Sequence, residues 1–357
     1  MFLLIGCGII IVVTAVAIWR SKKPLNQILA EAKYELVYNA LGSRAVLEDM
    51  VMKSKNKTDL PVLTGKVALI TGGARGIGAE VVQMLLQCDV HVIIGCRNVQ
   101  AGDQVLQRCR DKGVATGDIS VYKLDISHIE SVKSFAKVVA EKHPKINYLI
   151  NNAGIMFGPY IESRDGFESQ FSTNYLGHFL LTHLLFPQIC AGGTESANSR
   201  IVNVSSCAYQ AGKINFEDIN NRERYIAAEA YAQSKLAQIL FTNYVERICR
   251  KEKFLVQTHS VHPGIVNTEL FDGTYLKNLV PWVPSLVFKT PEQGAVPIIH
   301  SCVSPRLEGR GGTYIHNCRI FATSETAKSE DLQEKLFNFT KDLLKIDDFG
   351  RPRDNNN

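Results

Sequence analysis

Residues 67–78 read VALITGGARGIG. Four apolar residues run into a glycine cluster, the pattern of a buried strand that ends in a tight turn. A helical spacing follows at once, with Ala79, Val82, Leu85 and Leu86 on one face. A glycine-rich turn by itself is an ordinary strand–helix loop. Between a strand and a helix, its glycines let the backbone approach a pyrophosphate whose charge rests on the helix N-terminus. Gly72, Arg75, Gly76, Ile77 and Gly78 are therefore candidate contacts of a dinucleotide.

Outward from this unit the pattern repeats. Apolar runs at residues 90–94, 119–124, 148–150, 201–204 and 255–261 alternate with helical stretches from residue 98 and at 128–142, 174–189 and 228–250. That alternation predicts an α/β fold, a doubly wound parallel sheet of the Rossmann type with helices on both faces, in one catalytic domain over residues 65–325. Residues 326–357 read as a C-terminal helix and a polar tail. The second strand ends in Gly95, Cys96 and Arg97, with no acid. An acid there would bind the ribose 2′-hydroxyl of NAD, whereas an Arg accommodates the 2′-phosphate of NADP. Arg97, with Arg75 close by, points to NADP(H) ahead of NAD(H).

The bulk composition narrows the class. The chain has 357 residues, 45% of them apolar and 21% charged, enough for a real core. Its net charge of +5 is modest, and no basic stripe interleaves with aromatics, so no nucleic-acid partner is expected. The nine cysteines form no CxxC pair and have no zinc-ligand spacing, which predicts reduced thiols, a cytosol-facing domain and no metal site.

The N-terminus is different. Residues 2–19 carry no charge. At ~1.5 Å per residue they span ~27 Å, close to a bilayer core. No Lys or Arg precedes the stretch, while Arg20, Lys22 and Lys23 follow it. That pattern favours an uncleaved transmembrane anchor over residues 1–20, with the rest on the cytosolic side, rather than a signal peptide. Within residues 21–64, Leu25, Ile28, Leu29, Ala32, Leu36, Val37 and Leu41 follow helical spacing, and a lysine-rich linker comes after. This amphipathic helix either lies on the membrane surface or docks on the domain. Two possible glycosylation sequons, at Asn56 and Asn338, carry the competing luminal reading.

Tyr231 and Lys235 stand four apart on a predicted helix and share a face. A free tyrosine, with a pKa near ~10, is a poor base at neutral pH. A neighbouring ammonium favours the phenolate, which makes the pair a candidate proton donor and acceptor. Ser206, or its neighbour Ser205, could donate a hydrogen bond to a substrate oxygen.

With these residues in view, the chain resembles the short-chain dehydrogenase/reductase family over residues 65–325. The resemblance is carried by TGGARGIG at 71–78, LDI at 124–126, NNAG at 151–154, Asn174, IVNVSS at 201–206, Tyr231 with Lys235, and HPG at 262–264. It implies a hydride-transferring oxidoreductase acting on alcohols or carbonyls. Tyr231 would be general acid/base. Lys235 would lower its pKa and bind the ribose. Ser206 would orient the substrate oxygen, and Asn174 would hold a water in a proton relay. It further implies cofactor contacts from Asp125 and Ile126, from Asn152, Ala153 and Gly154, and from Pro263, Gly264 and Thr268, with Asn267 able to share the last task.

Segments KINFEDIN at 213–220, NYLGHFLLT at 174–182 and KTPEQGA at 289–295 resemble the retinol-dehydrogenase-like branch. Its substrates are membrane lipids: retinoids, polyprenols and steroids. The apolar stretch YLKNLVPWVPSLVF at 275–288 stands where the family's substrate lid lies. Endoplasmic reticulum membrane or lipid droplet is the implied location. The family often pairs through the two long helices beside the sheet, which leaves a homodimer open. The alternative class, a non-catalytic scaffold or redox sensor on this fold, usually lacks the tyrosine or the lysine.

Overall fold

Strand β1 (Val67–Thr71) pairs in parallel with β2 (His91–Cys96) on one side and with β4 (Tyr148–Asn151) on the other. β3 (Asp118–Lys123) extends the sheet beyond β2. β5 (Ser199–Val204), β6 (Val256–His262) and β7 (Thr313–His316) continue it beyond β4, all parallel. β8 (Arg319–Phe321) closes the edge antiparallel to β7. The order β3-β2-β1-β4-β5-β6-β7-β8 places a topological switch between β1 and β4, where open α/β sheets bind ligands beyond their strand C-termini. This computed structural model describes residues 24–271 and 286–351. The readings on residues 1–20, on residues 275–285 and on the end of the tail lie outside the described residues.

Each central strand is buried on both faces, as a parallel sheet requires. Leu69 and Ile93 pack into one core layer, Ala68, Ile70, Val92 and Ile94 into the other. Helices α2 (Gly76–Gln87), α3 (Val99–Asp111) and α7 (Pro291–Val303) cover the second layer, and α4 (Ile129–Lys142), α5 (Gly177–Gly192) and α6 (Ala227–Lys251) the first. The β7–β8 hairpin has no counterpart in the sequence reading. Its turn residues Asn317 and Cys318 both have left-handed backbone, φ 48° and 57°. A turn of that kind is usually announced by glycine, and here none marks it.

The C-terminal helix α8 (Glu330–Leu344) packs into the same core. Phe337 stacks 4.3 Å from Tyr244 and 5.2 Å from Phe179, and Tyr175 Oη and Thr340 Oγ1 share a hydrogen bond of 2.8 Å. Phe349 lies on Phe186, and the Gly350 amide donates to His183 Nδ1. Together they pack against α5 and α6, the helix pair through which the family resemblance leaves a homodimer open. Thr340, the last residue of one sequon, is fully buried, and the other sequon's Asn56 donates to the Gln293 carbonyl at 2.8 Å.

Helix α1 (Leu25–Val51) docks on the domain, but through a different stripe from the one its apolar residues mark. Leu29, Leu36 and Val37 are exposed. The docked face carries Tyr34, Tyr38, Ala45 and Asp49, which fall in one line at 100° per residue. Tyr34 Oη donates to Glu229 at 3.0 Å, and Asp49 is 6% exposed. The apolar count marks the outward side of the helix, whereas Ala45 and the Tyr34, Tyr38 and Asp49 contacts set the docked side. Among the described residues no helix is long and apolar enough to cross a membrane, and no group of His, Cys, Asp and Glu is placed to hold a metal ion.

Candidate active site

The glycine loop and the Asn152 turn are stitched together at the switch point. Thr71 Oγ1 accepts from the amides of Asn152 and Ala153, both at 3.0 Å. Its own proton is then left for His178 Nε2 at 2.8 Å. That assignment puts the other ring proton on Nδ1, which donates to the Asn174 carbonyl at 3.1 Å. Burial pushes the His178 pKa down to about 3, so the ring is neutral and holds strands to helix. Asn152 Nδ2 donates to the Thr71 carbonyl at 2.9 Å and closes the stitch.

A cleft of about 890 Å³ opens above this point, at the ends of β1, β2 and β4. It falls within the ~300–1,000 Å³ usual for cofactor sites. The glycine loop, Arg97, the Asp125–Ile126 pair, the Asn152–Gly154 turn and Thr268 all line it. Gly72 and Gly76 have left-handed backbone, φ 70° and 54°. A Cβ on Gly78 would overlap the Gly72 carbonyl. No side chain caps α2, so its first amides face the cleft. These features fit a dinucleotide: a glycine cradle, a free helix N-terminus and a cation at the rim. Arg97 is exposed at the end of β2, whereas Arg75 is ion-paired with Glu269 across the cleft mouth. Asp125 Oδ1 accepts from the Ser127 amide and hydroxyl.

The four candidate chemical residues come together beside the cleft rather than in it. Tyr231, Lys235 and Ser206 are 4, 5 and 8% exposed. Lys235 Nζ donates to the Val204 carbonyl at 3.0 Å. The Ser206 side chain draws the Tyr231 phenol toward ionisation, and its Oγ accepts from the Ala208 amide at 3.2 Å. Ser205 instead donates to the Lys235 carbonyl at 2.9 Å, so it faces α6. Asn174 sits in a π-helical turn (Ser172–Leu176) that leads into α5. Its amide grips the Ile155 backbone, accepting at 2.9 Å and donating at 3.0 Å, and donates to Ser234 at 2.9 Å. An ideal Cβ on Gly154 would lie 3.2 Å from Asn174 Oδ1 and 3.6 Å from Lys235 Nζ, so the turn touches both.

The lowering of the Tyr231 pKa expected from Lys235 does not describe this arrangement. Burial pushes the phenol up, with Ser206 pulling the other way. The same burial pushes the Lys235 ammonium down to about 8. In one dry pocket, loss of water is the largest influence on both groups.

Two contributors escaped the sequence reading. The Phe157 ring meets Tyr231 edge-on at 5.7 Å, and Tyr38 of α1 meets Phe157 at 4.8 Å. Phe157 carries left-handed backbone, φ 59°, which no sequence pattern signals. Tyr38 had a signal, its helical register with Tyr34 and Asp49. Pro263 and Gly264 lie on the turn after β6, and Gly264 has φ 96°.

The sequence profile of the short chain dehydrogenase family matches residues 66–278. The chain belongs to this family. Human retinol dehydrogenase 11 is 39% identical over 284 residues, 79% of this chain and 86% of its own. Human polyprenol dehydrogenase is 33% identical over 317 residues, 87% and 95% of the two chains. A solved structure of an uncharacterized protein from Mycobacterium Paratuberculosis is 30% identical, with a TM-score of 0.64 over 80% of this chain and 96% of that one. The RhlG/NADP complex of Pseudomonas aeruginosa, 23% identical with a TM-score of 0.56 over 72% and 95%, shares the fold. The chain is thus a short-chain dehydrogenase-type oxidoreductase of the Rossmann fold, similar to retinol and polyprenol dehydrogenases.

Proposed function

We propose that this short-chain dehydrogenase exchanges a hydride between NADP(H) and a lipophilic alcohol or carbonyl, a retinoid, polyprenol or steroid, at a membrane surface. One observation carries the reading: Lys235 Nζ stands 5.5 Å from the centre of the Tyr231 ring, both side chains buried with Ser206 beside a dinucleotide cleft. The bound nicotinamide supplies or takes the hydride. Tyr231 gives the carbonyl oxygen its proton on reduction and removes it on oxidation. Ser206 orients that oxygen. Lys235, fixed by the Val204 carbonyl, holds the ribose side. Asn174 keeps the Gly154 turn in place beside Lys235 and orders the relay that returns the proton to water. Arg97 takes the 2′-phosphate, and Pro263, Gly264 and Thr268 flank the nicotinamide.

The membrane and the lipid are supported together. Leu29, Leu36, Leu47, Met50 and Val51 are 61, 74, 63, 60 and 80% exposed, on the side of α1 opposite its docked face. In the sequence they follow the apolar stretch at residues 2–19 after a basic break at Arg20, Lys22 and Lys23. A helix with one face on the domain and an apolar face outward suits the cytosolic surface of the endoplasmic reticulum or a lipid droplet. The relatives named for retinol and polyprenol favour substrates dissolved in that membrane. The test is a panel of retinal, a polyprenal and a steroid ketone in detergent or vesicles, followed by NADPH consumption. Turnover of at least one by wild type, and a rate lowered ~10²–10⁴-fold in Tyr231→Phe, is expected. Equal turnover by both proteins would overturn the reading.

A further inference from the structure

The turn after β6 is held by a residue that lies outside the family fold. Asp49, near the C-terminal end of α1, is almost fully buried. Its Oδ2 accepts from the Ile265 amide at 2.9 Å. Its Oδ1 accepts from His316 Nε2 at 2.9 Å and from Asn317 Nδ2 at 3.0 Å, and pairs with Lys289 Nζ at 2.9 Å. Lys289 Nζ spends its other two protons on the Pro263 carbonyl at 3.1 Å and on Asn317 Oδ1 at 2.7 Å. Every donor of the ammonium is used, and both carboxylate oxygens are occupied. Burial alone would push the Asp49 carboxyl up, but His316 and Lys289 hold it below the usual carboxylate range. Gly264 is glycine for two reasons here: its φ is 96°, and a Cβ would stand 2.5 Å from Asp49 Oδ2 and 2.6 Å from Lys289 Nζ. The Asn267 amide donates to the Lys289 carbonyl at 2.9 Å, and the Lys289 amide to the Ile265 carbonyl at 2.8 Å, so both sides of the turn meet at this ion pair.

We infer that Asp49 is a positioning residue: through Lys289 and the Ile265 amide, it sets the Pro263–Thr268 turn at the nicotinamide end of the cofactor cleft, making helix α1 part of the working site. The inference rests on the reading of that turn as a cofactor contact. It gives the segment between the apolar N-terminus and the domain a chemical task besides attachment. A shared ion pair rather than an apolar contact suits that task, because buried charges tolerate few geometries.

The test is NADPH affinity and thermal midpoint, measured on the full chain in detergent. Asp49→Asn is expected to weaken NADPH binding about tenfold. Tyr34→Phe, which removes the half-buried hydrogen bond from α1 to Glu229 but does not touch the turn, is expected to lower the midpoint without changing the affinity of the folded protein. Should Asp49→Asn fail to fold, the double variant Asp49→Asn/Lys289→Met removes both charges and leaves none unpaired, and the same tenfold loss is expected of it. Wild-type affinity in Asp49→Asn, or in the double variant where that alone folds, overturns the inference. A wild type that binds no NADPH overturns the cofactor reading instead, and this inference with it.

Discussion

Lys235 Nζ lies 5.5 Å from the centre of the Tyr231 ring, and both side chains are buried. Neither group is at its ordinary proton affinity, because the same pocket strips water from both. A phenol that is hard to ionise stays protonated at neutral pH, so its proton is there to be given to a carbonyl oxygen, at less driving force than an ordinary phenol would supply. Removing its hydroxyl should therefore cost the proton-transfer contribution, typically ~10²–10⁴-fold in rate. Tyr231→Phe should lose that much in kcat while NADPH affinity stays within about threefold, because the substitution removes no charge. Stopped-flow NADPH oxidation with retinal, alongside an equilibrium titration, checks both numbers.

Arg97 should decide between the two nicotinamide cofactors. It is exposed at the cleft rim, while Arg75 is engaged with Glu269. A hydrogen bond to a charged group contributes about 1.5–3 kcal/mol, so losing one to the 2′-phosphate corresponds to roughly 10–100-fold. Arg97→Asp should raise the KM for NADPH by that factor and leave or improve the KM for NADH. Arg75→Ala should do much less. Initial rates with each cofactor decide it, and an unchanged NADPH/NADH ratio in Arg97→Asp would remove Arg97 from the phosphate site.

Acid should unfold the protein early. Burial pushes His178 and His259 down to about 3, and His183 to about 4, from 6.5. Below pH ~6.5 the unfolded chain takes up protons at these rings that the folded chain refuses, so ∂ΔG/∂pH is positive there. Their contribution is complete above pH ~6.5 and is lost progressively as pH falls toward 4. His178→Gln should flatten that slope between pH 6.5 and 4 in denaturant titrations. It should also lower stability at pH 7.5, because the Thr71 and Asn174 contacts go with the ring. An unaltered slope would mean that His178 is protonated in the folded state.

The chemical centre was legible in the sequence because local rules write it. A strand must end where VALI meets TGG, and a helix must bring residues 231 and 235 to one face. What stayed hidden depends on long-range fit. Asp49 reaches Ile265 across 216 positions, and nothing near residue 49 announces that partner. The choice between Ser205 and Ser206 turns on which hydroxyl α6 takes up. The β7–β8 hairpin rests on left-handed Asn317 and Cys318, a turn without glycine. That α1 docks, and through Tyr34, Tyr38 and Asp49, is invisible to an apolar count, which marks only its outward face.

That outward face leads to the last expectation. Leu36 and Leu47 stand eleven residues apart on α1, about 1,100° of rotation or 20° from alignment, and both are largely exposed. Burying a leucine side chain contributes about 1.5–3 kcal/mol. If this stripe rests in a lipid interface, then a chain lacking residues 1–20 should still bind vesicles of neutral and anionic lipid through α1. Leu36→Glu/Leu47→Glu in that chain should weaken binding by at least about tenfold, or 1.4 kcal/mol. NADPH affinity should not move, because neither residue is on the docked face. Flotation of the two proteins with identical vesicles measures the ratio. Equal flotation would leave the apolar N-terminus as the sole attachment and the stripe as bare surface.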